Sequence, residues 1–317
     1  MNIDSELLST IPQTLLPKKI NSTRVIKGGL NNKNILLNEK WLIKEYLPRD
    51  EANDPVYLRF LREKETLLLL KENLHVPQIL KYYEDAPKFF LVRKWINGHP
   101  ITTEQIQNNP TMLIRTLISI HKETKSTGGD FHYLDVIKRY LKEYEKIVTL
   151  ISDGVLQSTE FSVLPQYYEV DQYFTDRLCQ IQKFDSGKNL VRIHGDLVFS
   201  NIILTENQQN LILIDWEYST LGNPLIDLAY LFSQNQVSLK LQGILTKEYE
   251  NQLKVTINPT ELKVYYKLML LMSALWYAIQ ASRLKFLSVS SKKDQLNSID
   301  FIKLSLGTFQ ELNLSDK

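Results

Sequence analysis

The chain has 317 residues, of which 43% are hydrophobic and 23% are charged. This composition excludes a disordered or fibrous protein and predicts a globular one with room for two domains and a large core. Its 38 basic and 36 acidic residues leave a formal net charge of +2, so bulk electrostatics gives no support for a nucleic-acid-binding protein.

Residues 3–16 have the periodicity of a short amphipathic helix, which is predicted to end near Pro17. The first ten residues contain no basic segment followed by an apolar core, so we expect no signal peptide. The single cysteine permits no internal disulfide. These features together favour a cytoplasmic protein.

Short runs rich in β-branched and aromatic residues then predict a sheet. The predicted strands are residues 23–26, 35–37, 41–46, 78–82 and 89–95. The loop after the first strand is rich in glycine and asparagine, which let backbone approach a phosphate closely, although a plain hairpin turn would use the same residue types. Its candidate nucleotide-binding residues are Gly28, Gly29, Asn31 and Asn32.

The third strand carries Lys44, and residues 57–70 after it have helical periodicity. In a kinase-like small lobe, a carboxylate on such a helix pairs with the strand lysine, which binds the α and β phosphates of the nucleotide. Glu63 and Glu65 are both candidates for that carboxylate. The alternative is that these charges are simply solvated, as most surface lysines and glutamates are.

Glycine and proline interrupt the strand pattern from residue 96 to residue 100. We interpret this segment as a hinge between an N-terminal domain of residues 1–96 and a C-terminal domain of residues 97–317. If the first domain binds a nucleotide, the backbone from Lys94 to Ile96 is where the edge of an adenine would be recognised.

Helical periodicity dominates beyond the hinge. The predicted helices are residues 103–106, 111–123, 134–151, 166–184, 225–235, 242–255, 260–287 and 295–306. Cys179 falls in one of them and is expected to be a buried structural thiol. The longest apolar run, residues 268–281, is about half a membrane span, so we expect a core helix and no membrane span.

Two apolar runs, residues 190–193 and 211–214, are predicted to be the strands of a small hairpin. Asp196, Asn201 and Asp215 follow these strands, where they can face a cleft. Carboxylate and amide oxygens suit Mg²⁺, which usually keeps substrate phosphates among its ligands. Their order and spacing match phosphoryl transfer, in which one Asp orients the attacking hydroxyl while an Asn and a second Asp hold the metal.

Several motifs together resemble the aminoglycoside phosphotransferase and choline kinase superfamily. The most specific are HGDLxxxN, which starts at His194, and IDWEYxxxGNPxxDLA, which starts at Ile214; GGLNNKN, the REK triplet around Glu63 and the LWYAIQ helix support them. The resemblance implies an α+β, protein-kinase-like fold of two lobes. The N-terminal lobe would be a small five-stranded antiparallel sheet with one helix, and the larger C-terminal lobe would be mainly helical with a catalytic hairpin.

The same resemblance implies a role for each candidate residue. Asp196 would orient or deprotonate the acceptor hydroxyl, and Asn201 and Asp215 would bind magnesium. Lys44 would bind the phosphates of ATP, with Glu63 favoured as its partner by the REK context.

The acceptor site implied by the resemblance departs from the choline kinase pattern. In choline kinases a late helix carries a W-x-x-W pair that helps enclose the quaternary ammonium. Trp276 matches the second tryptophan, and Ser273 replaces the first. Tyr218 matches another aromatic residue of that site, and Gln234 stands where choline kinases have an acidic residue. A simple packing role for Trp276 is the alternative.

The sequence therefore predicts a Mg-ATP-dependent phosphotransferase acting on the hydroxyl of a small, cationic metabolite, with choline, ethanolamine and thiamine as the leading acceptors. An aminoglycoside-type antibiotic phosphotransferase ranks second, because the helices from residue 242 to residue 312 show no acidic cluster for a polycationic acceptor. A catalytically silent nucleotide-binding protein of the same fold is a third reading. The sequence does not give the oligomeric state.

Overall fold

The computed structural model describes residues 4–26, 32–48, 55–127, 133–156, 161–185, 190–207, 209–287 and 292–314. Contacts divide the chain into two compact units. The first comprises Met1–Phe131, Val191–Leu221 and Lys247–Leu253, and the second comprises His132–Leu190, Gly222–Thr246 and Lys254–Lys317. The division into domains of residues 1–96 and 97–317 stays a prediction.

A five-stranded antiparallel sheet lies in the first unit, in the order β1-β2-β3-β5-β4. Its strands are β1 (Thr23–Ile26), β2 (Asn32–Leu37), β3 (Trp41–Tyr46), β4 (Ile79–Asp85) and β5 (Lys88–Lys94). The five predicted strands are confirmed with small shifts at their ends. Together with the mostly helical C-terminal part of the chain, this sheet confirms the α+β fold.

A tight turn joins β2 to β3 and sets which residues lie on each face of the sheet. Asn38 and Glu39 have φ angles of 53° and 52°, and two consecutive positive values are typical of the hairpin turns whose twist matches the strands they join. The resulting register pairs Ile35 with Ile43. Ile43 is fully buried on one face, so its neighbour Lys44 points to the opposite face.

The N-terminal segment covers the face that carries Ile43. Helix α1 (Ser5–Ser9) begins at Asp4, whose side chain accepts a backbone N–H of the helix at 2.9 Å, and a 3-10 turn follows at Gln13–Leu15. The single helix predicted over residues 3–16 is therefore wrong, because Pro12 has no N–H and disfavours helix at the residue before it. The segment and the sheet share one apolar core: Leu7, Ile11, Leu15, Ile35, Leu37, Ile43, Phe90 and Val92.

Helix α2 (Val56–Leu69) packs on the opposite face of the sheet. The ring of Phe60 lies 5.5 Å from that of Tyr46 and 5.4 Å from that of Phe89, measured between centroids. Residues three and four apart share one side of a helix. Glu63, three residues after Phe60, is therefore directed at the same face of the sheet as Lys44.

The predicted hairpin has the wrong strand pairing. The other elements that begin in the first unit are β6 (Gly98–Pro100), α3 (Thr103–Asn108), α4 (Pro110–His121), β7 (Val191–Ile193), β8 (Ile202–Thr205), β9 (Leu211–Leu213) and β10 (Thr220–Gly222). Strand β9 pairs with β8, and β7 pairs with β10. A short turn joins β8 to β9, and closing it costs less entropy than the longer connection back to β7.

The remaining elements are helices. They are α5 (Leu134–Ser152), α6 (Tyr167–Asp185), α7 (Leu225–Gln234), α8 (Leu239–Leu253), α9 (Pro259–Leu287) and α10 (Lys292–Glu311). In α9, the segment Pro259–Lys285 is long and apolar enough to cross a membrane by length and composition alone, and 67% of its most apolar window is buried. That burial is what the predicted core helix requires.

The expected burial of Cys179 is wrong. The thiol is exposed on α6, whose buried side is formed by Val170, Phe174 and Ile181. Because successive residues turn by about 100° around a helix, position 179 falls outside the stripe that these residues define. The helical pattern alone does not show on which side of the helix Cys179 lies.

Candidate active site

Lys44 lies between two carboxylates. Its Nζ is 2.5 Å from Oε2 of Glu63 on α2, and it also donates to Oδ1 of Asp215, just after β9. Lys44 and Glu63 are 5% and 2% exposed, so this strand lysine is buried rather than solvated. The structure thus brings together the predicted phosphate lysine, its favoured partner and one predicted metal ligand.

Electrostatics keeps Lys44 in its charged form. Burial opposes the charge, but the carboxylates of Asp215, Glu63 and Glu217 outweigh it and raise the pKa of Lys44 above its ordinary value. Burial raises the pKa of Glu63, and the charge of Lys44 opposes that rise. The phenol of Tyr46 donates to the same oxygen of Glu63 at 2.5 Å. Lys44 is therefore an ammonium group suited to phosphate oxygens.

His194 orders the loop that carries Asp196. Its Nε2 lies 3.0 Å from the carbonyl oxygen of Ile214, and its Nδ1 lies 3.2 Å from the backbone N–H of Asp196. The carbonyl must accept and the N–H must donate, so the imidazole is neutral with its proton on Nε2. Gly195 supplies a positive φ of 79° at the turn.

Asn201 is bonded directly to Asp196. Its Nδ2 donates to the carboxylate Oδ2 at 2.9 Å and to the carbonyl oxygen at 3.0 Å. These bonds orient the Asp196 carboxylate and direct the amide nitrogen of Asn201 towards it. The amide oxygen, Oδ1, is then the atom of Asn201 that can serve a metal ion.

The backbone at Asp215 is held in a conformation that few non-glycine residues adopt. Its φ is 68°. The next residue, Trp216, is fully buried, with its ring 4.5 Å from that of His194 and its Nε1 donating to the Leu213 carbonyl at 2.8 Å. These contacts fix the Asp215 backbone, while its carboxylate stays 34% exposed at the cleft.

Glu217 joins three parts of the site. Its Oε2 accepts from Asn32 Nδ2 at 3.1 Å and from Arg59 Nη1 at 3.3 Å, and its carbonyl accepts from Arg62 Nε at 2.7 Å. Both arginines lie on α2 and are almost fully buried. Glu217 therefore connects α2, which carries Glu63, and the start of β2 to the segment that carries Asp215.

We expect a double-mutant cycle of Arg59→Met and Glu217→Gln to show a coupling free energy of roughly 0.5–3 kcal/mol, because the effects of two substitutions on stability are not additive when the two buried residues are in contact. The quantity to measure is the free energy of urea unfolding. The matched control is the pair Arg24 and Glu39, which is closer, at 2.9 Å, but 56% and 57% exposed. A coupling no larger than that of this exposed pair would contradict a tethering role for Glu217.

One cleft of about 460 Å³ contains most of the predicted nucleotide and metal residues. The predicted residues that line it are Asn32, Lys44, Glu63, Ile96, Asn201 and Asp215. Among the described residues, Asp196 and Lys94 are not part of this lining, although Asp196 bonds to Asn201. Gly28, Gly29 and Asn31 lie outside the described residues.

The donor set of the cleft fits magnesium. Asn201 offers an amide oxygen and Asp215 a carboxylate, and Mg²⁺ is usually bound by one or two such protein oxygens together with water and substrate phosphates. No group of three or more His, Cys, Asp and Glu that could hold a metal occurs in the part of the chain that is described.

The family model of the phosphotransferase enzyme family matches residues 22–261, which include every residue of this cleft. The chain belongs to that family. The sequence-based prediction of the superfamily is thereby confirmed.

Relatives of this phosphotransferase-family chain include a curated protein and solved structures. Protein LicA of Haemophilus influenzae is 24% identical over 244 residues, which span 76% of this chain and 66% of LicA. Choline kinase LicA from Streptococcus pneumoniae has a TM-score of 0.65 at 20% identity, covering 96% of this chain and 98% of the other. The GDP and kanamycin complex of APH(2″)-IIia has a TM-score of 0.61 at 15% identity, covering 94% and 98%. At these identities the structures show a shared fold.

The predicted acceptor residues are distributed over both units of this phosphotransferase-family chain. Half-buried Tyr218 belongs to the first unit. In the second unit, Gln234 Oε1 accepts from Ser273 Oγ at 2.8 Å, and Gln234 Nε2 donates to the Met269 carbonyl at 3.3 Å. The half-buried ring of Trp276 contacts the rings of Tyr277 and Phe301 at 5.4 and 5.7 Å. The two positions that differ from choline kinases therefore bond to each other.

Sequence reasoning missed three charged residues of the site in this chain. Arg59 and Glu217 form the buried tether, and Arg93 lines the cleft. The available signal for Arg93 was an arginine directly after the apolar run FFLV in the predicted strand FFLVRKW. Lone charges within buried elements are rare unless they have a partner, so each one invites a search for it.

Proposed function

We propose that the chain is a Mg-ATP-dependent phosphotransferase that moves the γ-phosphate of ATP to a hydroxyl of a small, cationic metabolite. The observation that carries the proposal is the cluster in which Lys44 bonds to Glu63 and Asp215 beside the bonded pair of Asp196 and Asn201. A phosphate lysine, an oriented carboxylate and two oxygen ligands are the parts that phosphoryl transfer uses.

In this mechanism Asp196 accepts the hydrogen bond of the acceptor hydroxyl and positions its oxygen against the γ-phosphorus. A new oxygen–phosphorus bond forms as the bond between the γ-phosphorus and the bridging oxygen to the β-phosphate breaks, and ADP leaves. The hydroxyl proton passes to the Asp196 carboxylate and from there to solvent. Asn201 keeps the carboxylate oriented through the bond to Oδ2.

Lys44 would bind phosphate oxygens of the nucleotide; it is held by Glu63, whose Oε2 also accepts a hydrogen bond from the phenol of Tyr46. Asn201 and Asp215 would hold Mg²⁺, which when bound neutralises charge that develops on the phosphates. The φ of 68° at Asp215 is maintained by the packing of Trp216, so this ligand is preset before nucleotide binds.

For the acceptor we propose choline, ethanolamine or thiamine. The half-buried face of Trp276 can attract an organic cation. Gln234 is neutral and already bonds to Ser273 and Met269, so it supplies no carboxylate for a polycationic acceptor. The resemblance to choline kinase LicA over almost the whole chain supports the same class.

The test is a panel that measures ADP release with Mg-ATP and choline, ethanolamine, thiamine, glucose or kanamycin. We expect one of the first three to raise the rate at least about tenfold over the rate without acceptor, since positioning the acceptor is a large part of the catalysis. Stimulation by kanamycin alone would support the aminoglycoside alternative. Tight binding of Mg-ATP without release of ADP in the presence of any acceptor would support the catalytically silent protein.

A further inference from the structure

Arg93 is a buried cation on the wall of the nucleotide cleft. It lies near the end of β5, is 8% exposed and is part of the cleft lining. Burial lowers its pKa, and the charges of Glu63 and Asp215 oppose that shift. An arginine remains protonated even so, because its ordinary pKa lies far above neutral pH.

The hydrogen-bond donors of Arg93 are largely unused by the protein. A guanidinium has five N–H donors, and the only bond of this one among the described residues is from Nη1 to the Lys94 carbonyl at 3.4 Å, which is long for such a bond. No carboxylate in the described part of the chain forms an ion pair with it. Its nitrogens without a protein partner are not enclosed by the fold, so they are open to an acceptor.

Strand register places Arg93 away from the phosphate end of the cleft. On neighbouring strands β3 and β5, Lys44 is opposite Leu91, whereas Arg93 is opposite Leu42. Two residues along a strand correspond to about 7 Å, and the displacement is towards Ile96, at the end where the base is expected. The backbone of Arg93 therefore lies towards the base end of the cleft, while its guanidinium is still within reach of the charges of Glu63 and Asp215.

The surroundings of Arg93 suit a flat ring. The cleft lining that includes Arg93 also has apolar and aromatic members: Ile26, Leu42, Trp95, Ile203 and Ile214. Such walls can hold a base by its faces but cannot tell one purine from another, because every base has an apolar face. Only groups that contact the edge of the ring can then distinguish one purine from another, and Arg93 is a charged hydrogen-bond donor available for that role.

We propose that Arg93 is a specificity-determining residue that donates to the carbonyl oxygen and N7 of a 6-oxopurine, so that guanine and hypoxanthine nucleotides bind this cleft more tightly than adenine nucleotides. Arginine is the usual side chain for this pair of acceptors, and it has no acceptor to offer the 6-amino group of adenine. The inference rests on the proposed phosphotransferase function and changes the preferred phosphate-donating nucleotide from ATP towards GTP.

The test compares four magnesium–nucleoside diphosphates in calorimetric titrations of the full chain. ADP and IDP differ at position 6 of the purine, and 2-aminoadenosine diphosphate and GDP differ there too while sharing a 2-amino group. Both 6-oxo nucleotides are expected to bind on the order of tenfold to a hundredfold more tightly than their 6-amino counterparts, the effect of one or two hydrogen bonds to a charged donor. The ratio of the dissociation constants of the 6-amino and 6-oxo nucleotides should be the same in the two pairs.

Two variants assign the effect to the side chain. Arg93→Met keeps an apolar side chain of similar length and should reduce the 6-oxo preference to below about threefold, because IDP and GDP lose more affinity than their 6-amino counterparts. Arg24→Met is the matched control, since Arg24 is exposed on β1 and pairs with Glu39; it should keep the preference.

Each outcome decides the proposal. Equal binding of both members of each pair by the natural chain overturns it, and this holds even if Arg93→Met fails to fold. An equal loss of affinity for all four nucleotides in Arg93→Met shows a phosphate contact or a structural charge and also overturns it. If none of the four binds, the proposed function fails together with this inference, whereas binding without preference leaves the proposed function intact.

Discussion

Replacement of Asp196 by asparagine is expected to lower phosphoryl transfer at least about a hundredfold, the low end for loss of a positioned acid or base group. The amide that replaces the carboxylate still accepts the bond from Asn201 Nδ2, so the loop should keep its conformation. Nucleotide affinity should stay within about threefold, because Lys44, Asn201 and Asp215 are untouched. The measurements are turnover of ATP or GTP with the best acceptor and titration of the nucleotide.

The matched control for this change is Asp153→Asn. Asp153 is exposed and follows α5, outside the candidate site. It should leave both turnover and nucleotide binding unchanged. Unchanged turnover in Asp196→Asn would remove Asp196 from the chemistry, and loss of nucleotide binding in that variant would show that it acts on binding instead.

The second large effect is expected for Lys44→Met. Transfer should fall at least about a hundredfold, because the phosphates lose their cationic partner. The same change removes the counter-charge of Glu63, which is 2% exposed. Removing one member of a buried ion pair typically destabilises a protein by about 3–5 kcal/mol, and urea unfolding measures that loss.

A second substitution separates the two effects of Lys44→Met. In Lys44→Met with Glu63→Gln, the uncompensated carboxylate is gone and Tyr46 can still donate to the amide oxygen. We expect the double variant to regain about 1–3 kcal/mol of stability relative to Lys44→Met alone, which is the usual penalty of an unsatisfied buried group. Activity should not recover, since no phosphate ligand is restored. Recovery of activity without recovery of stability would contradict the assignment of Lys44 to phosphate binding.

Short-range sequence patterns predicted much of this protein. The five strands and most helices follow from hydrophobic periodicity, which is a property of neighbouring residues. Asp196, Asn201 and Asp215 could be singled out because the residues that surround a phosphoryl-transfer loop occur in one continuous segment. The same segment indicates the superfamily, which the family match to residues 22–261 confirms.

Other features depend on pairings that the sequence does not encode locally. Residues 190–193 and 202–205 are both short and largely apolar, and β9 pairs with the second run, which is nearer along the chain and costs less loop entropy. Cys179 would lie in the same helical pattern whether it were buried or exposed. Only the choice of which side of α6 packs against other elements makes it exposed. In each case the local pattern fits two arrangements, and tertiary contacts decide between them.

The sequence by itself determined the family, the fold class and the identity of the lysine, aspartates and asparagine that form the proposed reaction centre, because those are carried by local motifs. Only the tertiary structure decided that Lys44 is buried between two carboxylates, that Glu217 tethers α2, and that Arg93 faces the cleft with donors to spare. The bonds concerned join residues far apart along the chain, such as Asn32 and Glu217, which are 185 positions apart. A charged side chain acquires its role from the groups that surround it after folding, since burial and neighbouring charges set both its protonation and its partners.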